Sequence, residues 1–239
     1  MHKYEKLRGS NSVLFNKGFA ADELKHNILD LLKAHFEHHG DGHIFCNTAA
    51  MFHGCSLKAA LAITRTGAAD LRTTDGGFFG AGIYTTPFPE YAATYSTTGS
   101  DDAGQRERCM VFAKVAVANT YPITRMTDYN HPEAPNAVSK FDYRHPLHFD
   151  EATQQFGPPT QRSDKALEPG YDSHFVAIRA PAYQAVDDPR PSDMQELLLK
   201  EPGQVCDARS PATHHRIPVL CSQVLPVARL YFRQIIGEK

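Results

Sequence analysis

The sequence predicts an α+β fold on three observations. Apolar residues recur every three or four positions over about residues 21–38, the mark of an amphipathic helix. They alternate through Cys109 to Val117 (CMVFAKVAV), a β-rich segment of period two. Elsewhere short helical and short extended segments follow one another in no regular βα order, which argues against a doubly wound sheet.

In the first helix Leu24, Ile28, Leu31, Leu32, His35 and Phe36 make the apolar face, and Gly40 and Gly42 end it. Ile44 to Phe52 reads as a strand. Ser56 is placed to cap a short helix, Leu57 to Thr66, with Gly67 just past its end. Residues 67–82 read as a glycine-rich loop and Ile83 to Thr85 as extended. Pro87 and Pro89 suit the first turn of a helix running to about Ser96, on which Tyr91 and Tyr95 share a face. Gly170 to Ile178 contains another strand, and Ile217 to Leu220 and Val224 to Phe232 two more. Two polar, proline-dotted stretches, roughly 125–169 and 180–213, read as long loops, which in a compact domain are functional or poorly ordered. The exception is Ser192 to Lys200, where Ser192 and Gln195 fit a helical capping box ahead of Leu197-Leu198-Leu199.

At 239 residues, one domain is the economical reading, with residues 1–43 as an N-terminal helical extension and 44–239 as the core. Hydrophobic residues at 41% and charged residues at 22% are ordinary for a globular chain. A net charge of −2 supplies no general attraction to nucleic acid or an anionic membrane. No apolar run approaches the roughly 18 residues of a membrane span, and the N-terminus leads into no signal-peptide core. The five cysteines, Cys46, Cys55, Cys109, Cys206 and Cys221, show no C-x-x-C pair, so reduced thiols in a cytoplasmic or nuclear protein are expected.

The cluster Gly76-Gly77-Phe78-Phe79-Gly80-Ala81-Gly82 is not a Rossmann fingerprint, because its order is G-x-x-G-x-G and an extended segment follows it. It lacks the Lys-Ser/Thr of a phosphate-binding loop. His35, His38, His39 and His43 gather near Glu37 and Asp41, yet the first three end the predicted helix, where a cation suits the dipole. No cysteine joins them at zinc-finger spacing, and no metal site is expected.

Order and spacing carry more than any single piece. Met51-Phe52-His53-Gly54 is followed by a short helix, a loop, then Phe79-Gly80-Ala81-Gly82-Ile83-Tyr84 and a helix with Tyr95, eleven residues after Tyr84. Gly170-Tyr171-Asp172-Ser173 and Ser222-Gln223-Val224-Leu225-Pro226 come later. This set resembles the catalytic domain of poly(ADP-ribose) polymerases and their mono-ADP-ribosylating relatives over most of Met51–Phe232. The resemblance implies two mainly antiparallel sheets forming an NAD cleft flanked by short helices, with NAD as substrate. It implies that His53 contacts the adenosine ribose and that Gly54 meets the nicotinamide amide through its backbone. Tyr95 would stack on nicotinamide, and Tyr84 would wall the other side and help hold its ribose. Phe79 to Gly82 would line the pocket, and Arg72 would reach the adenosine or pyrophosphate side.

The chemistry agrees. Cleaving the nicotinamide bond leaves an oxocarbenium-like carbon, so the ribose and ring must be held rigidly. Flat rings grip a flat ring, and an imidazole can hydrogen-bond a ribose hydroxyl.

Polymerising members of the family carry a Glu eight residues before the Gln of the terminal motif. Counting back from Gln223 gives His215, and no carboxylate lies between Ser210 and Arg229. The triad thus reads His53, Tyr84, His215, with Glu196, Glu201 or Asp207 as carboxylates able to swing in. Ala92 stands where the family carries a Ser that bonds the carboxamide, and Cys55 where a Ser or Thr follows His-Gly. The expectation is a mono-ADP-ribosyltransferase acting on a protein or nucleic-acid acceptor, with no metal and no membrane partner. The alternatives are an NAD-binding pseudoenzyme and an NAD glycohydrolase.

Overall fold

The computed structural model describes residues 22–36, 47–66, 76–96, 99–100, 106–107, 109–117, 119–131, 137–142, 148–150, 155–157, 167–180, 184–205, 209–210, 213–214 and 219–221. Helix α1 (Glu23–Lys33) starts at Asp22, whose side chain accepts from the Lys25 N–H at 3.1 Å. It is shorter than the apolar periodicity predicts. The residues after it serve the sheets instead: His35 Nε2 meets Gln195 Oε1 at 2.7 Å, and Phe36 bridges Ala49. Strand β1 (Asn47–Cys55) continues through His53 and Gly54, past its predicted end at Phe52. Helix α2 (Leu57–Thr66) has the predicted bounds, and the Ser56 hydroxyl accepts from the Ala59 N–H.

The glycine cluster folds into a two-stranded turn, β2 (Gly76–Gly77) and β3 (Gly80–Ala81), which leads into β4 (Ile83–Thr85). Helix α3 (Pro89–Tyr95) begins on its proline. The short pair β5 (Gly99–Ser100) and β6 (Arg106–Glu107) precedes β7 (Cys109–Val117), whose bounds match the predicted strand. Then come β8 (Thr120–Pro122) and helix α4 (Arg125–Asp128). The stretches expected as loops contain strands: the pair β9 (His148–Asp150) and β10 (Gln155–Gly157), then β12 (Gln184–Ala185) after β11 (Ser173–Arg179). The chain continues through β13 (Met194–Leu199), a 3₁₀ turn at Pro202–Gln204, β14 (Arg209–Ser210), β15 (Thr213–His214) and β16 (Val219–Cys221).

One prediction is reversed outright. Ser192 to Lys200 is not a helix: β13 pairs with β11 on one side and β4 on the other. Its apolar run is continuous because both faces are covered, which removes the period-two signal of a half-exposed strand. A capping box does occur nearby, between Glu201 and Gln204 of the 3₁₀ turn. Residues 224–232, predicted as a final strand, lie outside the described residues.

Two sheets organise the fold. The first has the order β1-β7-β16, antiparallel throughout. The second has the order β12-β11-β13-β4, with β8 parallel to β11. This is an α+β architecture. The main core takes Cys109, Val111, Ala113, Val115 and Val117 from β7, Leu197 and Leu199 from β13, and Ile28 and Leu32 from α1. Helix α1 is therefore part of the core packing, although its residues fall within the expected N-terminal extension.

Beside that core lies a buried charge cluster. Lys25 of α1 is 4% exposed, and its Nζ lies 3.0 Å from Asp128 Oδ2 and 2.8 Å from the Pro122 carbonyl oxygen. Lys140 approaches Asp128 Oδ1 at 3.2 Å, and the Tyr121 hydroxyl donates to the same oxygen at 2.6 Å. No helix among the described residues is long and apolar enough to cross a membrane.

Candidate active site

The edges of the two sheets meet at one residue pair. Phe52 of β1 and Thr86, just after β4, exchange backbone hydrogen bonds of 2.7 and 2.9 Å. This joint sets His53 beside Tyr84, and His53 Nδ1 donates to the Tyr84 carbonyl oxygen at 2.8 Å. A carbonyl can only accept, so the bond fixes Nδ1 as the protonated nitrogen.

Tyr84 is held at its far end by the glycine turn. Its hydroxyl donates to the Gly80 carbonyl at 2.7 Å and accepts from the Phe79 N–H at 3.0 Å. Glycine is needed at position 77 because a Cβ there would overlap the Tyr84 phenol. The Tyr84 hydroxyl thus anchors the turn, while its ring lines the cleft.

Gly54 is explained by packing. A Cβ on it would overlap the Ala92 carbonyl oxygen and lie 3.1 Å from the Ser96 N–H nitrogen. Strand β1 and helix α3 therefore touch backbone to backbone. Gly54→Ala is expected to cost about 3 kcal/mol, the upper end of ordinary overpacking. Its melting temperature should drop by roughly 6–12 °C, with loss of ligand binding as α3 moves. An unchanged melt would refute the contact.

Helix α3 brings Tyr91, Ala92 and Tyr95 to the cleft. Tyr91 is 4% exposed and Tyr95 52%. Their hydroxyls meet at 2.7 Å and their rings pack edge to face, with centroids 5.3 Å apart at 89°. Tyr91 also donates to Glu196 Oε1 at 2.6 Å. Burial first, and then the Glu196 charge, raises the Tyr91 phenol far above its ordinary range, so it stays protonated.

Glu196 is the residue that the sequence reading left in reserve. It sits in β13, 6% exposed, and lines the cleft with His53, Gly54, Tyr84 and Tyr95. The register explains this: Leu198 pairs with Tyr84, and side chains two apart on a strand share a face. A sequence signal existed. Gln204-Val205 follows Glu196 by eight residues, the same spacing that led from Gln223 back to His215. His215 and Arg72 lie outside the described residues, as do His38, His39 and His43. Cys55 and Ala92 are buried, and Gly82 packs against the Leu199 carbonyl. Among the described residues, no three His, Cys, Asp or Glu side chains group as a metal site would require.

Phe79 is held by a residue that the sequence reading did not single out. His174, 1% exposed, donates from Nδ1 to the Phe79 carbonyl at 2.7 Å and accepts at Nε2 from the Glu168 N–H at 2.8 Å. Burial lowers its pKa to about 3, against an ordinary 6.5. The folded-state value lies below the unfolded one. Between those pH values the unfolded chain therefore binds a proton that the folded chain does not. Stability should fall as pH drops through this window, by up to about 1.4 kcal/mol per pH unit from this group. Denaturant melts across the window should show that slope, and His174→Gln should flatten it.

Comparison with known proteins gives one family. The family model described as poly(ADP-ribose) polymerase catalytic domain matches residues 25–165. No curated protein compared with the chain matches it.

Proposed function

The chain belongs to the poly(ADP-ribose) polymerase catalytic domain family, and on that premise we propose that it cleaves nicotinamide from NAD⁺ and passes ADP-ribose to a macromolecular acceptor. The family is one of ADP-ribosyltransferases that use NAD⁺ as substrate. The observation that carries the reading is a buried carboxylate, Glu196, in the same cleft as His53 and Tyr84.

In this reading the triad is His53, Tyr84 and Glu196. Nδ1 of His53 is committed to the Tyr84 carbonyl, so Nε2 is the nitrogen that would meet the adenosine ribose. The Tyr84 and Tyr95 rings would flank nicotinamide. Glu196 would accept a hydrogen bond from the nicotinamide ribose and oppose the positive charge that develops at its anomeric carbon. The bond from that carbon to nicotinamide breaks, and its electron pair leaves with nicotinamide, which becomes neutral. An acceptor oxygen or nitrogen then bonds to the carbon and gives up its proton. Ala92 supplies no hydroxyl to the carboxamide, a loss of about 0.5–1.5 kcal/mol.

Glu196 lies beyond the matched segment, and we read residues from α1 to the end of the chain as one catalytic unit. Single transfer is the proposed product. The buried Glu196 carboxylate in the cleft favours a second reading, elongation to polymer. Incubation with labelled NAD⁺ tests both. Discrete labelled bands mean single transfer and a ladder means polymer. Free ADP-ribose alone means hydrolysis. No label and no nicotinamide would leave a binding protein without turnover.

A further inference from the structure

We propose that Tyr91 is the positioning residue of this cleft, fixing both the Glu196 carboxylate and the Tyr95 ring through one phenol oxygen. The inference rests on the reading of Glu196 as the reacting carboxylate, and it adds a residue to which neither the motifs nor the family match gives a role.

The hydrogen-bond polarity is forced. A phenol has one proton, and Tyr91 gives it to Glu196 Oε1 at 2.6 Å. The Tyr91 oxygen can then only accept from the Tyr95 hydroxyl at 2.7 Å. The result is a directed chain, Tyr95 to Tyr91 to Glu196. Its middle member is rigid, because the Tyr91 ring packs in a buried cluster with Phe79, Tyr121 and Ile178. Its two ends are the groups that need holding. A glutamate has three side-chain torsions and, without a donor, several orientations in which its charge misses the ribose. Tyr95 is half exposed at the last position of a seven-residue helix, and its hydroxyl reaches inward to the buried Tyr91 oxygen.

The donor is also neutral. It orients the carboxylate without cancelling its charge, so the full negative charge stays available for a developing cation. One hydroxyl thereby ties the geometry of the ring wall to that of the charged wall, before any ligand arrives.

Tyr91→Phe keeps the ring and removes only the hydroxyl. Steady-state and single-turnover nicotinamide release from NAD⁺, on the full chain, should show kcat lowered about ten- to a hundredfold, the scale of a misplaced reacting group. KM should rise much less, and the melting temperature should drop by only a few degrees, because the buried Glu196 carboxylate loses one donor while the ring packing stays. In the Glu196→Gln background the same substitution should lower kcat no further, because its effect passes through the carboxylate. Wild-type kcat in Tyr91→Phe would overturn the proposal. So would an equal loss with and without Glu196. Should Tyr91→Phe melt too early to assay, Tyr95→Phe breaks the outer link alone. It should raise KM for NAD⁺ more than it lowers kcat, and an unchanged KM would overturn the tether. An active Glu196→Gln would sink the parent reading instead, so the two failures are told apart.

Discussion

Glu196→Gln is expected to lower nicotinamide release by about 10²–10³-fold, the usual cost of removing one preorganised electrostatic contact at a reacting centre. The variant is nearly isosteric. Its amide oxygen can still accept from the Tyr91 hydroxyl, so the buried contact and the strand pairing at Leu197 to Leu199 survive. What is lost is the negative charge that the proposed function sets against the ribose. The melting temperature should therefore hold while turnover collapses. His215→Gln in parallel separates the two candidates for the third triad position. Loss of turnover there, with Glu196→Gln still active, would return the role to His215.

Asp128→Ala should give the largest loss of stability, about 3–5 kcal/mol, because it strips a buried lysine of its counter-charge. Lys25 and Asp128 are 4% and 1% exposed. Burial pushes the Asp128 carboxyl up, but the charges of Lys25 and then Lys140 outweigh it and hold it below the ordinary range. Lys25 is displaced the other way: burial lowers it, and Asp128 restores only part. The ammonium thus depends on a carboxylate that it cannot replace. A melting temperature lower by roughly 6–20 °C is expected for a chain of this size. Lys25→Met added to Asp128→Ala should recover much of it, because the one cation then left in the cluster, Lys140, still has Glu168 Oε2 at 3.4 Å. The pair also titrates with a definite sign. The Asp128 folded-state value lies below its unfolded one, so its contribution is present above about pH 4 and fades as pH falls further.

Much of the fold was legible where local chemistry and burial agree. Strand β7 shows its alternation because one face packs the core while Lys114 is exposed on the other. The α2 cap and the Tyr91–Tyr95 face obey local rules that tertiary packing did not override. The place of Glu196 as a buried wall of the cleft was hidden for two physical reasons. A strand paired on both sides and buried on both faces has no alternation, so Leu197-Leu198-Leu199 behind Ser192 and Gln195 imitated a capped helix. Glu196 therefore reads as a carboxylate that would have to swing in, not as one fixed in a sheet. The dipeptide Gln-Val also occurs twice, at Gln204 and Gln223, and only pairing between distant strands shows which one trails a carboxylate facing the cleft. His174 was invisible for a similar reason. Its work is to bond backbone groups at positions 79 and 168, and no local pattern reports that.

Strand β4 carries a consequence for anyone who shortens the chain. Along its length it pairs, among the described residues, with β13 alone, and β13 lies after the segment that the family model covers. A fragment cut at residue 165 would keep Tyr84 and its glycine turn but leave the N–H and C=O groups of β4 facing water in a row. Such an open edge is a template for pairing with another chain. Expression of that fragment should yield aggregates rather than a weakened enzyme, and the shortest tractable piece should extend at least through Leu199.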